Sequence, residues 1–360
     1  MSNVIIKTIF VAIFMATTCV PGCIFSSPVV FDKCEDRENC LTIAFEPKEE
    51  YSNTEENPEQ LADRLSELLG MEVEIYPVSG PAGTIQALRY GHADIGFLDG
   101  GAAWLSWQNH GLEVLAAEQK ADGRPYYYAI AWVHKDSDMA QAAMDDDNST
   151  DPFELMAGKT SCHTSALGSS GMLLPMGYLI DNGYMEVEGD PNDISSLTDT
   201  VRAHFSEDSS IPSSGTKYYK YKGSLRCLAE HEGGSATDYI SFAKDPTVPD
   251  YCGEDPEDWC FDGDFSSTED FYPLPTTGKA PSHPVMYNPE YFSEENVTAL
   301  QNAFEIMNGN SADLDILDNV LSTPGMTITN TTEHIADYGD LIEDVPGIQA
   351  YFADKYGLEE

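Results

Sequence analysis

A chain of 360 residues is long enough for two domains with ample core. Only 18 Lys and Arg stand against 62 Asp and Glu, a formal net charge of −44, which argues against nucleic acid as a partner and suits salty or cation-rich surroundings. A hydrophobic content of 41% with 19 tyrosines fits a folded globular protein rather than a disordered one.

Residues 1–23 read as a targeting segment: Lys7 gives a positive start, 9–20 an apolar core, and Val20-Pro21-Gly22-Cys23 resembles a lipobox in which Cys23 becomes the lipidated first residue. The alternative is an ordinary signal peptide cut nearby, which would leave the protein secreted. No later stretch is long and apolar enough to span a bilayer. The expectation is therefore an exported protein at the cell surface or in the periplasm, held to the membrane by lipid. With Cys19 removed and Cys23 lipidated, six cysteines remain, and an exported chain can oxidise them. The expected pairs are Cys34–Cys40, Cys162–Cys227 and Cys252–Cys260, although spacing by itself leaves the connectivity open. No pair has zinc-finger spacing.

Residues 24–40 read as a tether. A strand is predicted over 41–45, then an acidic loop over 46–57. Pro58 opens a helix carrying Leu61, Leu65, Leu68 and Leu69, closed by Gly70. Strands over 73–78, 93–99 and 112–117 alternate with helices over 84–90 and from Gly100 onward. Such alternation predicts a parallel sheet with helices on its faces, and ligands in such sheets bind beyond the carboxyl ends of strands. Asp99 sits at one of those ends.

A long apolar strand follows over 126–133, then a polar loop over 136–151 whose Asp145-Asp146-Asp147 run reads as solvated rather than metal-binding. At 159–171 a short strand ends near His163. A loop of small hydroxyl residues then leads into an apolar helix over 172–180, closed by Asn182-Gly183. Thr164, Ser165, Ser169 and Ser170 beside a helix start make a candidate anion site, because the first helical amides lack partners and the dipole favours negative charge. The plainer reading is a strand-to-helix turn with a serine cap.

Residues 184–217 yield no clear element. A helix is predicted over 221–230 and a strand over 237–244. An acidic insertion over 245–264, with Cys252 and Cys260, reads as a stapled surface loop. Strands are expected over 271–274 and 281–287, then helices at about 293–308, 311–321, 333–343 and 346–356. Asn-X-Ser/Thr sequences at Asn148, Asn296 and Asn330 permit glycans. The strands at 126–134 and 282–288 bracket a middle block. One lobe is thus expected over 41–126 plus 284–360 and a second over 127–283, with a hinge strand at each end. That is an α/β two-lobed clamshell closing on ligand.

Five segments in order carry a resemblance: Phe97-Leu98-Asp99-Gly100-Gly101, Tyr126-Tyr127-Tyr128-Ala129-Ile130-Ala131, Lys159-Thr160-Ser161-Cys162-His163-Thr164, Tyr221-Lys222-Gly223-Ser224-Leu225-Arg226-Cys227-Leu228 and Ala280-Pro281-Ser282-His283. Together they resemble one lobe of transferrin, over roughly half of the chain, from Ala93 to Tyr287. The resemblance implies a type II periplasmic-binding-protein clamshell and a ferric site. Asp99 would be its carboxylate ligand, Tyr127 and Tyr221 its tyrosinates and His283 its imidazole. It also implies a Cys162–Cys227 disulfide and a synergistic carbonate held at Thr164. The chemistry is consistent, since two phenolates and a carboxylate balance the charge of Fe(III), a hard cation suited to oxygen donors. Coordination needs deprotonated ligands, so release should follow acidification.

The family's anion-binding arginine falls on Gly168 here, which leaves Lys222 or Arg124 as candidate replacements. Of the family's paired-lysine acid trigger only Lys244 has a match. The leading expectation is a single-lobe ferric-binding lipoprotein that delivers iron to an importer, such as an ABC permease. The sequence also resembles phosphonate and phosphate-ester solute-binding proteins, in which the Ser-rich loop would hold an oxyanion without iron. An enzyme would need Cys162 or His163 in catalysis, with no nucleophile–base arrangement in view. A passive acidic surface protein would lack stoichiometric binding.

Overall fold

The computed structural model describes residues 39–46, 57–145, 149–261 and 263–358. The targeting segment, Cys23, Cys34 and Asn148 lie outside the described residues.

The first stretch alternates strand and helix: β1 (Cys40–Phe45), α1 (Glu59–Leu69), β2 (Glu72–Pro77), α2 (Gly80–Arg89), β3 (Ile95–Phe97), α3 (Gly100–His110) and β4 (Glu113–Glu118). Helix α1 buries Leu61, Ala62 and Leu65 on one stripe and stops at Gly70, whose φ of 68° suits glycine. Helix α2 begins earlier than its apolar pattern suggested, because Gly80 and Pro81 form its first turn, where a missing N–H costs nothing.

The middle stretch holds β5 (Tyr126–His134), α4 (Asp138–Met144), β6 (Thr160–Cys162), α5 (Leu174–Asp181), α6 (Ser196–His204), α7 (Lys220–Glu230), β7 (Tyr239–Lys244), α8 (Thr247–Cys252), β8 (Phe271–Pro273) and β9 (Gly278–Pro281). Helix α6 lies where the sequence shows no clear pattern. Its buried face is only Leu197, Thr200 and Val201 beside Ser196, too sparse an apolar stripe to read among acidic neighbours. The last stretch comprises β10 (Pro284–Tyr287), α9 (Glu294–Asn308), α10 (Ser311–Leu321), β11 (Met326–Ile328), α11 (Asp337–Ile342) and α12 (Ile348–Lys355).

Two sheets result. The first has the order β11-β4-β10-β3-β1-β2 and draws on both ends of the described chain. Strands β1, β2 and β3 are parallel, but β10 runs antiparallel between β3 and β4. The sheet is thus mixed rather than parallel throughout: the strand by which the chain returns from the second sheet, β10, enters antiparallel to its neighbours, and β11 is antiparallel to β4. The second sheet is centred on β5. Its first half pairs with β9 and its second half with β8 on one side, and β7 runs along the other side, followed by β6. This is the type II periplasmic-binding-protein architecture, with its two lobes built on the two sheets.

The chain passes between the sheets at 119–125 and at Ser282-His283. The two passages are bonded to each other. Ser282 N–H donates to the Pro125 carbonyl at 2.9 Å, and the Ser282 hydroxyl reaches the carbonyls of Pro125 and Glu118. Glu118 N–H donates to the His283 carbonyl at 3.0 Å. The second passage was expected as one strand over 282–288. Instead it is two strands, β9 and β10, each committed to a different sheet, with the Ser282-His283 link between them.

The largest apolar cluster runs through both lobes and includes Trp104, Leu174, Met286, Tyr338 and Phe352. Helix α11 bridges them by packing on α5 and β9. Disulfides join Cys162 to Cys227 and Cys252 to Cys260, with Cα separations of 6.0 and 5.6 Å. Cys40 is also disulfide-bonded. Where α5 meets α11, a Cβ added at Gly177 would run into the Leu341 backbone carbonyl, which cannot swing aside as a side chain could. Gly177→Ala is therefore expected to destabilise the protein by about 1–3 kcal/mol, the usual range for overpacking. The measurement is a urea midpoint shift at unchanged slope, and an unchanged midpoint would contradict this packing.

Candidate ligand-binding site between the lobes

Each of the four candidate metal ligands is positioned by an identifiable local cause. Asp99 follows β3 and caps α3: its Oδ1 accepts from Gly101 N–H at 3.0 Å and Ala102 N–H at 3.1 Å. The same oxygen accepts from the Tyr356 hydroxyl at 2.7 Å. The plain role of a strand-end Asp as a helix cap is thus present, and three donors fix the carboxylate through one oxygen. His283 lies in the link between β9 and β10, and its Nδ1 stands 3.0 Å from Oε2 of Glu118, which is buried. That carboxylate raises the His283 pKa above the ordinary histidine value, against the opposing effect of desolvation.

Tyr127 lies in the first half of β5 and Tyr221 in the first turn of α7. Lys220, just before Tyr221, adopts a φ of 65°, unusual for a side-chain-bearing residue, and this turns the chain into the helix. The Tyr221 hydroxyl donates to the Tyr127 hydroxyl at 3.3 Å and accepts from Ser170 Oγ at 3.1 Å. Two anchors hold α7 in place. One is the Cys162–Cys227 disulfide, and the other is Ser224, whose hydroxyl donates to the Cys162 carbonyl at 2.8 Å. Desolvation and then the neighbouring Tyr221 push the Tyr127 phenol well above its ordinary pKa, so burial favours its neutral form.

Asp99, Tyr127 and His283 line one cavity of about 290 Å³ between the lobes, and Tyr221 joins them through its bond to Tyr127. Asp99 and His283 also line an adjoining cavity of about 420 Å³ on the side of the first sheet. A larger cavity of about 880 Å³ lies beside β6 and β7, but its Lys159 is already paired with Asp138 and Asp238. No three His, Cys, Asp or Glu side chains cluster for a metal among the described residues, so a metal in the cleft would depend on the phenols.

The hydroxyl loop is arranged differently from a simple helix start. A π-helical turn, Ser169–Leu173, precedes α5. Ser169 faces the cavity, whereas Ser170 is buried beneath Tyr221 and Ser165 is half-buried. Thr164 is buried, and its hydroxyl fills the space that a Cβ at Gly168 or at Gly171 would need. Gly168 is the position at which the transferrin resemblance leads one to expect an arginine. The two cations expected to replace it are engaged elsewhere: Lys222 pairs with Glu257 at 2.6 Å, and Arg124 pairs with Asp245 at 2.6 Å and with Asp122. His163 is fully buried between Ser161 Oγ and the Gly171 carbonyl, each at 2.9 Å, and burial pushes its pKa down to about 4. It is a structural histidine, and Cys162 is held in its disulfide.

Sequence reasoning missed Lys120, Tyr338, Lys355 and Tyr356, which also line the cavity. Two of these lie on α12 or directly after it, a helix whose sequence gives no sign of facing the cleft.

A family model for the ABC transporter, phosphonate, periplasmic substrate-binding protein matches residues 43–209. Among curated proteins, the chain is 27% identical over 223 residues to serotransferrin of Gadus morhua, covering 56% of this chain and 31% of that protein. It is 31% identical over 191 residues to lactotransferrin of Camelus dromedarius, covering 49% and 26%. The chain thus spans about a third or less of these relatives' length. Among solved structures, XAC2383 from Xanthomonas citri bound to chloride ion aligns with a TM-score of 0.51 at 17% identity, over 87% of this chain and 99% of that one. The similarities are to binding proteins, not to enzymes. The chain has the two-lobed type II periplasmic-binding-protein fold and is similar in sequence both to transferrins and to phosphonate-type substrate-binding proteins.

Proposed function

We propose that this chain is an exported binding protein that takes Fe(III), with a small oxyanion such as carbonate, into the cleft between its lobes. It then presents the ion to a membrane importer of the ABC permease type, and Cys23 would tether it to the membrane through lipid. The observation that carries this reading is the meeting of two phenol hydroxyls, those of Tyr127 and Tyr221, 3.3 Å apart at a cavity also lined by Asp99 and His283. The Tyr127 phenol, whose surroundings disfavour ionisation, would give up its proton only to a strong electrophile, and a bound trivalent ion is one. Two phenolates and one carboxylate would then cancel its charge. Ligands from both lobes and from the Ser282-His283 passage would couple binding to closure.

A second reading has its own support. With Thr164 packed over Gly168 there is no family arginine, and the family-model match is to phosphonate-type proteins. On that reading an oxyanion such as a phosphonate or phosphate ester is itself the ligand. A ferric titration of the form beginning after Cys23, with and without bicarbonate, separates the two. The iron reading expects a visible tyrosinate-to-iron band saturating at one iron per chain and lost in Tyr127→Phe and in Tyr221→Phe. No colour with any anion would sink it and leave calorimetry with methylphosphonate to test the other.

The Glu118–His283 contact yields a further expectation. Its carboxylate favours the protonated ring, so in the ligand-free protein His283 should titrate above the ordinary histidine value, and Glu118→Gln should lower that midpoint. The ring must be neutral to ligate, so protons compete with metal below that midpoint. An NMR titration that placed the midpoint lower with Glu118 than without it would contradict this account.

A further inference from the structure

The chain holds 18 basic residues against 62 acidic ones, so a lysine or arginine readily finds a carboxylate. Among the described residues, eight basic side chains do so. Lys120 and Lys355 form no such pair among the described residues, yet both line the same interlobe cavity. They reach it from unrelated parts of the fold. Lys120 sits in the passage from β4 to β5, in a tight turn closed by its own N–H donating to the Arg124 carbonyl and by Gly123 N–H donating to the Lys120 carbonyl, each at 2.8 Å. Its Nζ lies 6.0 Å from the centre of the Tyr127 ring. Lys355 ends α12, and its Nζ donates to the Tyr356 hydroxyl at 2.9 Å, which in turn donates to Asp99. One ammonium is thus beside a candidate phenolate and the other is one hydroxyl away from the candidate carboxylate.

We infer that Lys120 and Lys355 are the cationic half of the anion site in this cleft and hold a small doubly charged oxyanion against the Asp99–Tyr127 wall. The inference rests on the proposed function only in requiring that the cleft takes an anion, which both readings share. Charge balance supports it. A ferric ion with Asp99 and two phenolates is neutral, so an added carbonate leaves two negative charges. A phosphonate or phosphate ester taken without metal also brings up to two. In either case two ammonium groups offset them, where the hydroxyl loop itself carries glycine at 168, packed against the Thr164 hydroxyl, and no cation. An exposed ammonium on an acidic protein would gain little from a free carboxylate, but two that converge on an enclosed anion act in a less screened setting.

The test uses the soluble form with Lys120 and Lys355 both changed to Gln and, separately, both changed to Arg. Ferric ion with bicarbonate is read by visible absorbance, and methylphosphonate and inorganic phosphate without metal are read by calorimetry. For whichever probe the unmodified protein binds, the double Gln variant is expected to lose about tenfold or more in affinity and to show weaker dependence on salt. The double Arg variant should stay within about threefold. Thermal melting checks that both variants are folded, and recovery with Arg separates a charge effect from a packing defect. Binding by the Gln variant within about twofold of the unmodified protein would overturn the inference and leave the functional reading intact. If the unmodified protein binds none of the probes, the functional reading fails, and the inference with it.

Discussion

The structure depends on the hydrogen-bonded contact between the two passages that join its sheets. A chain that crosses from one sheet to another and returns needs two connections, and here they run side by side. The Ser282 hydroxyl lies on the carbonyls of Glu118 and Pro125, and the His283 carbonyl accepts from Glu118 N–H. Buried backbone groups need partners, and these bonds supply them where neither sheet can. His334 adds its Nε2 to the Ser282 carbonyl at 3.0 Å, and burial pushes this ring's pKa down to about 4, so it serves as a neutral hydrogen-bonding group. Lys120, Tyr127 and His283 all lie within a few residues of this contact.

The two sides of the cleft are held with different rigidity. On the second lobe the phenols stand on β5 and α7. Helix α7 is fixed by a disulfide from Cys227 to β6 and by Ser224, whose hydroxyl also reaches the Ser241 hydroxyl and the Phe242 carbonyl. On the first lobe Asp99 is fixed by its own helix and by Tyr356 from the end of the chain. Helices α11 and α12 therefore do more than complete the first lobe: α11 lies against α5 of the second, and the residues ending α12 reach the candidate carboxylate. The cleft is stabilised by contacts far apart in sequence.

The hydroxyl loop packs closely around Thr164. A glycine at 168 and another at 171 let the threonine side chain settle over the π-helical turn. The candidate anion loop is tightly packed and hydroxyl-rich but has no lysine or arginine of its own, while Lys120 and Lys355, which pair with no carboxylate among the described residues, reach the same cavity from other elements. The candidate groups of the cleft are thus spread over both passages, the hydroxyl loop and the C-terminal helix.

Much of the fold was legible in the chain alone. Leu61 and Leu65 with Gly70 mark α1, and the apolar run of β5 marks the centre of the second sheet, because burial on one face leaves a period in the sequence. The residue pairs Cys162–Cys227 and Cys252–Cys260 were also expected. Helix α6 was not legible, since tertiary packing rather than its own pattern stabilises it, and neither was β9, whose pairing with β5 is a long-range contact. Asp99, Tyr127, Tyr221 and His283 could be named from their neighbourhoods. The sequence by itself determined which residue types were present and which segments would be strand or helix. Only the tertiary structure decided that β10 returns antiparallel inside the first sheet, that Lys222 and Arg124 are occupied elsewhere, and that Lys120, Lys355 and Tyr356 face the cleft. Propensity and periodicity act over a few neighbouring residues, whereas charge pairing and cavity lining depend on which distant segments the folded chain brings together.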